Sequence, residues 1–149
     1  FMGDIAEVTA FGQNNIPELA DTGDFDGAVV VLRSADGAIA SITNNRHCAA
    51  GYDQRMEVHG EKGSLFVDNL RPTSVTVNKV DYSAAQDPYL DYFLERYADA
   101  YRDELTAFID AINEGADVSP DVADGITALV LAEAAEESAR SGRPVKINN

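Results

Sequence analysis

Positive charge is scarce in this chain: 11 lysines and arginines stand against 26 aspartates and glutamates, a net charge of -15 over 149 residues. That scarcity excludes nucleic acid and anionic membrane surfaces as partners, because neutralising phosphates takes clustered Lys and Arg. The acidic residues are spread along the chain and form no tail, so they read as a solvated surface. Cysteine is nearly absent too. With Cys48 alone, no intrachain disulfide can form, and a reducing, cytoplasmic setting fits. No apolar run approaches the roughly 20 residues of a membrane-spanning helix, and no signal peptide opens the chain.

Several catalytic and cofactor motifs are missing as well. No G-x-G-x-x-G follows a strand-like segment and no G-x-x-x-x-G-K-[S/T] occurs, so the chain carries no dinucleotide or phosphate-loop site. The run Gly60-Glu61-Lys62-Gly63 reads as a turn. No G-x-S-x-G is present, and Ser41 and Ser64 have no base near them. His47, Cys48 and His59 match no zinc spacing, and a closed zinc site needs about four ligands. His59 reads as an exposed or interfacial strand residue, and Cys48 as a small packing residue. The carboxylate pairs Asp99/Asp103 and Glu136/Glu137 fall on the solvent faces of helices.

What is present begins with an apolar fraction of 45%, that of a globular chain long enough for one domain with a core. The first part reads as strands. Ile5 to Phe11 alternates weakly, Asn14 to Phe25 is a polar loop, and Gly27 to Arg33 is apolar on both faces. Ala35-Asp36-Gly37 signals a hairpin to a strand from Ala38 to Asn44. Gln54 to His59 alternates, with Met56 and Val58 on one face. Ser64 to Asp68 pairs back, and Ser74 to Val80 is a further strand. The last part reads as helices. Phe93, Tyr97, Tyr101, Leu105, Phe108 and Ile112 form one apolar helical stripe, which makes core packing the default for Tyr97 and Tyr101. Gly115 is placed as a C-cap, and Ser119-Pro120-Asp121 opens a second helix with Ser119 as N-cap. Ile126 to Ala135 is apolar almost all round, as in a helix buried on most sides. Val145 to Ile147 reads as a short edge strand.

Strands followed by helices give an α+β fold: a mainly antiparallel, open-faced sheet with helices packed on one face, and a single domain over residues 1–149. The strand Val29-Val30-Val31-Leu32 is apolar on both faces while helices cover one. The other face then needs a partner, or else the strand lies central under a long loop.

The richest stretch chemically is Asn44-Asn45-Arg46-His47-Cys48-Ala49-Ala50-Gly51-Tyr52-Asp53-Gln54-Arg55. A loop that only reverses direction needs Gly, Pro, Asn or Asp. This one adds a guanidinium, an imidazole and a phenol, groups that hold hydroxyls or carboxylates, and a scaffold-mounted loop of that kind is where binding usually lives. The plain alternative is a polar sheet-end loop.

From Gly51 onward the run Gly51-Tyr52-Asp53-Gln54-Arg55-Met56-Glu57-Val58-His59-Gly60-Glu61-Lys62-Gly63 resembles the C-terminal domain of the glucose–fructose oxidoreductase / inositol dehydrogenase / rhizopine catabolism family. Three further stretches agree in order: Asp68-Asn69-Leu70-Arg71-Pro72-Thr73, Phe93-Leu94-Glu95-Arg96-Tyr97, and Ser119-Pro120 through Asp124-Gly125 and Ala132 to Ser138 as far as Ser141-Gly142-Arg143-Pro144-Val145. The resemblance implies a two-domain oxidoreductase that oxidises a secondary hydroxyl of a cyclic polyol, myo-inositol first, using NAD or NADP. An N-terminal Rossmann domain would bind the cofactor, and the catalytic lysine and histidine would lie upstream of this chain. Opening at Phe1-Met2-Gly3-Asp4, the chain then reads as the later part of a longer protein. By itself it is expected to bind no nicotinamide cofactor and to turn over nothing. Tyr52 takes the matching substrate-contact position, Asn45 and Arg46 are secondary substrate candidates, and Asp53 and Arg55 orient the loop. The family often has an aromatic where Ala50 stands, which leaves one substrate-edge hydroxyl missing here. The resemblance also implies a homodimer or homotetramer through the open sheet face, with Arg55, Glu57 and His59 at or near the contact. Another sugar dehydrogenase is the alternative within the class. A non-catalytic assembly module is the alternative outside it.

Overall fold

The structure, a computed structural model, describes residues 2–147. The chain divides into two compact units, one formed by the residues up to His47 together with those from Ser119 on, the other by Cys48–Val118.

The first unit is built on a four-stranded antiparallel sheet. Its strands are β1 (Ile5–Gln13), β2 (Gly27–Ser34), β3 (Ile39–Asn45) and the short β8 (Val145–Lys146), in the order β3-β2-β1-β8. Register follows the alternation of the sequence. Val8 stands opposite Leu32 and Val145, Ala10 opposite Val30, and Val30 opposite Ile42. Side chains two apart share a face, so these residues form one apolar face, and helix α3 (Val122–Ser141) packs over it. Val8, Ala10, Ala134 and Ser138 are buried there. The opposite face carries Phe11, Val29 and Val31, exposed by 71%, 42% and 37%, so the doubly apolar β2 does leave one face open. β8 covers β1 only as far as Glu7 and Val8. Beyond it the Ser138 hydroxyl takes over, accepting from the Ala10 amide at 2.9 Å and donating to the Arg143 carbonyl at 2.8 Å. A buried sheet edge cannot leave that N–H unpaired, and Ser138 is the residue that pairs it.

The polar loop between β1 and β2 contains a 3-10 turn, Pro17–Leu19, and is anchored by the buried Asp26 carboxylate. Oδ2 of Asp26 accepts from the amides of Asn15 and Ile16. Gly12 has no side chain because the Phe25 ring lies where a Cβ would stand.

The second unit holds two separate hairpins, β4 (Met56–Gly60) with β5 (Gly63–Val67) and β6 (Thr76–Val77) with β7 (Ala85–Gln86), followed by α1 (Phe93–Arg96) and α2 (Ala98–Glu114). Among the described residues, the strands of each of these hairpins pair only with each other.

Several expectations need correction. The strand placed over Ser74–Val80 is only Thr76–Val77, because its partner offers just two pairing residues. The helix expected to run unbroken from Phe93 is interrupted at Tyr97, whose backbone (φ -106, ψ 10) ends α1 and precedes α2. The apolar stripe exists, but Tyr101, Leu105, Phe108 and Ile112 are exposed by 48%, 60%, 47% and 63%, so periodicity placed them on one face without burying them. The second helix starts later than Ser119. Asp121 is its N-cap, with Oδ1 accepting from the amides of Ala123 and Asp124, while Asp124 returns a bond to the Asp121 amide at 2.8 Å. A carboxylate offers the same capping geometry as a hydroxyl and also meets the positive end of the helix dipole. That helix is not buried on most sides: Ile126 and Leu129 are exposed, and burial starts only at Ala134. Cys48 is exposed, and so is not a packing residue. Gly115 does cap α2 in the left-handed conformation, at φ 65.

Candidate functional site

The loop singled out by its composition straddles the boundary between the two units, and its C-terminal half forms a bonded cluster. Gly51 enters with φ 110, a backbone state that favours glycine. A Cβ there would also press to 3.2 Å against the Leu90 carbonyl and against Tyr89. The next residue, Tyr52, donates its amide to that Leu90 carbonyl at 2.9 Å, and Leu90 in turn donates to Leu70 at 3.1 Å. The Tyr52 backbone is thereby tied to the segment that follows β5.

Its ring meets Tyr97 edge to face, with centroids 5.5 Å apart and planes at 83°. That is one of the favoured arrangements for aromatic pairs. The Tyr97 hydroxyl donates to Oε1 of Gln54 at 2.8 Å. Burial and the adjacent Tyr52 phenol push the Tyr97 hydroxyl above the usual tyrosine value. Tyr52 itself remains half exposed, at 38%.

Asp53 and Arg55 form a two-pronged pair, Nε to Oδ1 and Nη2 to Oδ2, both at 2.8 Å. Asn69 completes the cluster. Its Nδ2 donates to Oδ1 of Asp53 at 2.6 Å, and its Oδ1 accepts the Gln54 amide at 2.7 Å. The hydrogen bonds from Arg55, then those from Asn69, hold the Asp53 carboxyl below the ordinary carboxylate value, and Asp53 raises that of Arg55. Arg71 lies over the Tyr89 ring, 3.9 Å from its centroid, and donates to the Asp87 carbonyl. A shallow concavity of about 460 Å³ on the β4–β5 hairpin is lined by Arg55, Met56, Glu57, Phe66, Val67 and Asp68.

Tyr52, Asp53 and Arg55 are thus brought together. Asn45 and Arg46 belong to the other unit, where Asn45 Oδ1 accepts the His47 amide at 3.0 Å and the Arg46 amide donates to the Asp26 carbonyl at 2.7 Å. Their side chains are exposed. His59 is paired with Glu57 at 2.7 Å and with Ser64 at 2.9 Å, as an exposed strand residue would be. Asp99 and Asp103 both face Arg102 from the solvent. Among the described residues no cluster of three or more His, Cys, Asp and Glu is placed to hold a metal, and no helix is long and apolar enough to cross a membrane. The residues missed from sequence are Gln54, Asn69 and Tyr97 as one network. Asn69 stands in the sequence as part of a motif and Tyr97 as part of the apolar stripe, and nothing local shows that they meet residue 54.

The description "Oxidoreductase family, C-terminal alpha/beta domain" matches residues 1–147. The chain belongs to this family. Inositol 2-dehydrogenase of Rhizobium meliloti (strain 1021) is 42% identical over 129 residues, which cover 87% of this chain and 39% of that protein. The crystal structure of a myo-inositol dehydrogenase from Corynebacterium glutamicum ATCC 13032 superposes with a TM-score of 0.94 at 45% identity, covering 100% of this chain and 45% of that one. A scyllo-inositol dehydrogenase from Lactobacillus casei, solved with bound cofactor NAD(H) and scyllo-inositol, superposes at 0.85 with 28% identity, covering 96% of this chain and 42% of that one. The chain therefore spans less than half the length of these relatives. The α+β architecture expected from sequence, an antiparallel sheet with a helix on one face, is the one these C-terminal domains have.

Proposed function

We propose that this chain is the C-terminal substrate and oligomerisation domain, over residues 1–149, of a nicotinamide-dependent inositol dehydrogenase that oxidises a secondary hydroxyl of a cyclic polyol, myo-inositol first, to a ketone. The observation that carries this reading is the Tyr52 cluster. A half-exposed phenol is held by its backbone on Leu90 and by its ring on Tyr97, on the loop where the family's motif lies. Three relatives named for inositol support the substrate class. Tyr52 contacts the polyol, Asn45 and Arg46 contribute further polar contacts, and Asp53 and Arg55 fix the loop. The catalytic groups and the cofactor, NAD or NADP, sit on a Rossmann domain outside this chain. A cytoplasmic setting agrees with the one cysteine, an exposed free thiol.

Tyr52→Phe in the full-length enzyme tests the reading. Losing one neutral hydrogen bond is worth about 0.5–1.5 kcal/mol, so kcat/KM for the polyol falls roughly 2- to 15-fold while cofactor binding holds. An unchanged kcat/KM removes Tyr52 from the site.

A homodimer or homotetramer through the open sheet face is the second part of the proposal. Phe11, Val29, Val31 and Ile39 make that face apolar, and the Arg33–Glu7 ion pair, at 3.2 Å, borders it. Sedimentation at tens of micromolar should show a dimer or tetramer, as an interface of more than about 1,000 Å² would give. A monomer would remove the face from the oligomer.

A further inference from the structure

We propose that Asn69 is a positioning residue for polyol binding: it holds the segment carrying Tyr52 in place through Gln54 and Asp53. The proposal rests on the reading of Tyr52 as a substrate contact. Asn69 is 8% exposed, and within Cys48–Val118 it is the one residue with so little exposure. A buried amide is costly unless its polar atoms are partnered, and here the oxygen and the nitrogen each have a partner. Oδ1 takes the Gln54 amide, Nδ2 reaches Asp53, and the Asn69 backbone amide donates to Oδ1 of Asp68 at 2.8 Å. Gln54 then has its backbone on Asn69 and its side chain on the Tyr97 hydroxyl, while the Tyr97 ring rests against Tyr52. The path from Asn69 to Tyr52 is a chain of contacts, each of ordinary hydrogen-bond or aromatic geometry. An amide fits this place and its isosteres do not. Leucine has neither bond. Aspartate keeps the acceptor for Gln54, but sets a second carboxylate against Asp53 in place of the donor.

The experiment is steady-state kinetics of the full-length enzyme carrying Asn69→Ala, Asn69→Asp, Tyr52→Phe, and Tyr52→Phe with Asn69→Ala. Asn69→Ala should raise KM for myo-inositol roughly 3- to 10-fold, with kcat nearly unchanged and KM for NAD unaltered. Asn69→Asp should move KM in the same direction, since the lost donor matters as much as the acceptor. The double variant should lose less than the product of the two single losses, because Asn69 acts through Tyr52. Native polyol KM in both Asn69 variants, beside a raised KM in Tyr52→Phe, overturns the proposal and leaves the Tyr52 reading standing. So does a loss confined to the amount of folded enzyme, or a double variant whose losses simply multiply. An inert Tyr52→Phe beside an affected Asn69→Ala takes Tyr52 out of the site and overturns the coupling as well.

Discussion

In the unit carrying the four-stranded sheet, the apolar Val8, Ala10 and Ala134 are buried beside the polar Asp26, Ser34 and Ser138, and Asp26 and Ser138 bond to the backbone. Val8, Ala10 and Ala134 fill the space between β1 and α3, Ser138 completes the β1 edge, and Asp26 anchors the loop before β2. In the unit of Cys48–Val118, the buried residue is an amide, Asn69, and the contacts that define the local geometry are hydrogen bonds among Tyr97, Gln54, Asn69, Asp53 and Arg55. Hydrophobic burial is non-directional and sets which face of a strand points inward. Hydrogen bonds are directional and can fix one side chain to within a fraction of an ångström, which a binding loop requires. In the first unit the buried groups close the sheet against α3 and complete its edge, and in the second the hydrogen bonds hold the segment that carries Tyr52.

The sharpest way to break this contrast is Ser138→Ala. It strips a partner from the buried Ala10 amide and another from the Arg143 carbonyl. An orphaned buried group costs about 1–3 kcal/mol, so the pair should cost about 2–4 kcal/mol, one of them being only partly buried. Urea denaturation measures it, and the polyol KM of the folded enzyme should not move. Val8→Ala comes next. Val8 is 0% exposed, between α3 and the sheet. Removing its methyl groups loses their transfer energy and leaves a cavity, about 1.5–3 kcal/mol together. If Val8→Ala altered the polyol KM as Asn69→Ala is expected to, the division between a stabilising unit and a positioning unit would fail.

The same contrast explains how much could be read from the sequence. Where burial decides, alternation is visible: the Val29-to-Leu32 run was legible as a strand with two apolar faces, and Gly115 as a cap, because the signals are local. Where the exposed stripe on α2 is concerned, periodicity identified the helix but not its environment, since an apolar face looks alike whether covered or open. The cap at Asp121 lay two residues beyond Ser119, and both residue types cap helices. The network around Tyr52 was least legible. Asn69 meets residue 54 across 15 positions and Tyr97 meets it across 43, and one of these bonds uses a backbone amide that every residue has. Composition marked the loop either as a candidate site or as a polar sheet-end loop, and only the fold shows what holds it.

The smallest expected effect probes that network directly. Arg55, and then Asn69, lower the folded-state value of the Asp53 carboxyl. A carboxyl whose value is depressed by folding contributes stability above its unfolded value and loses that contribution as pH falls through the folded one. The stability that Asp53 contributes should therefore hold from neutral pH down to the ordinary carboxylate value and decline between that value and the lower folded one, where its pair with Arg55 opens. Carboxyl-carbon NMR of selectively labelled enzyme gives the midpoint, expected below that of a free aspartate. In Asn69→Ala the midpoint should rise but stay depressed, because the Arg55 bonds remain. In Arg55→Leu the rise should be larger, since the guanidinium is the leading cause. The order of those two rises is the decisive readout. A larger rise in Asn69→Ala would make the amide, not the arginine, the main partner of Asp53, and an ordinary midpoint in the native enzyme would mean that the pair does not hold in solution.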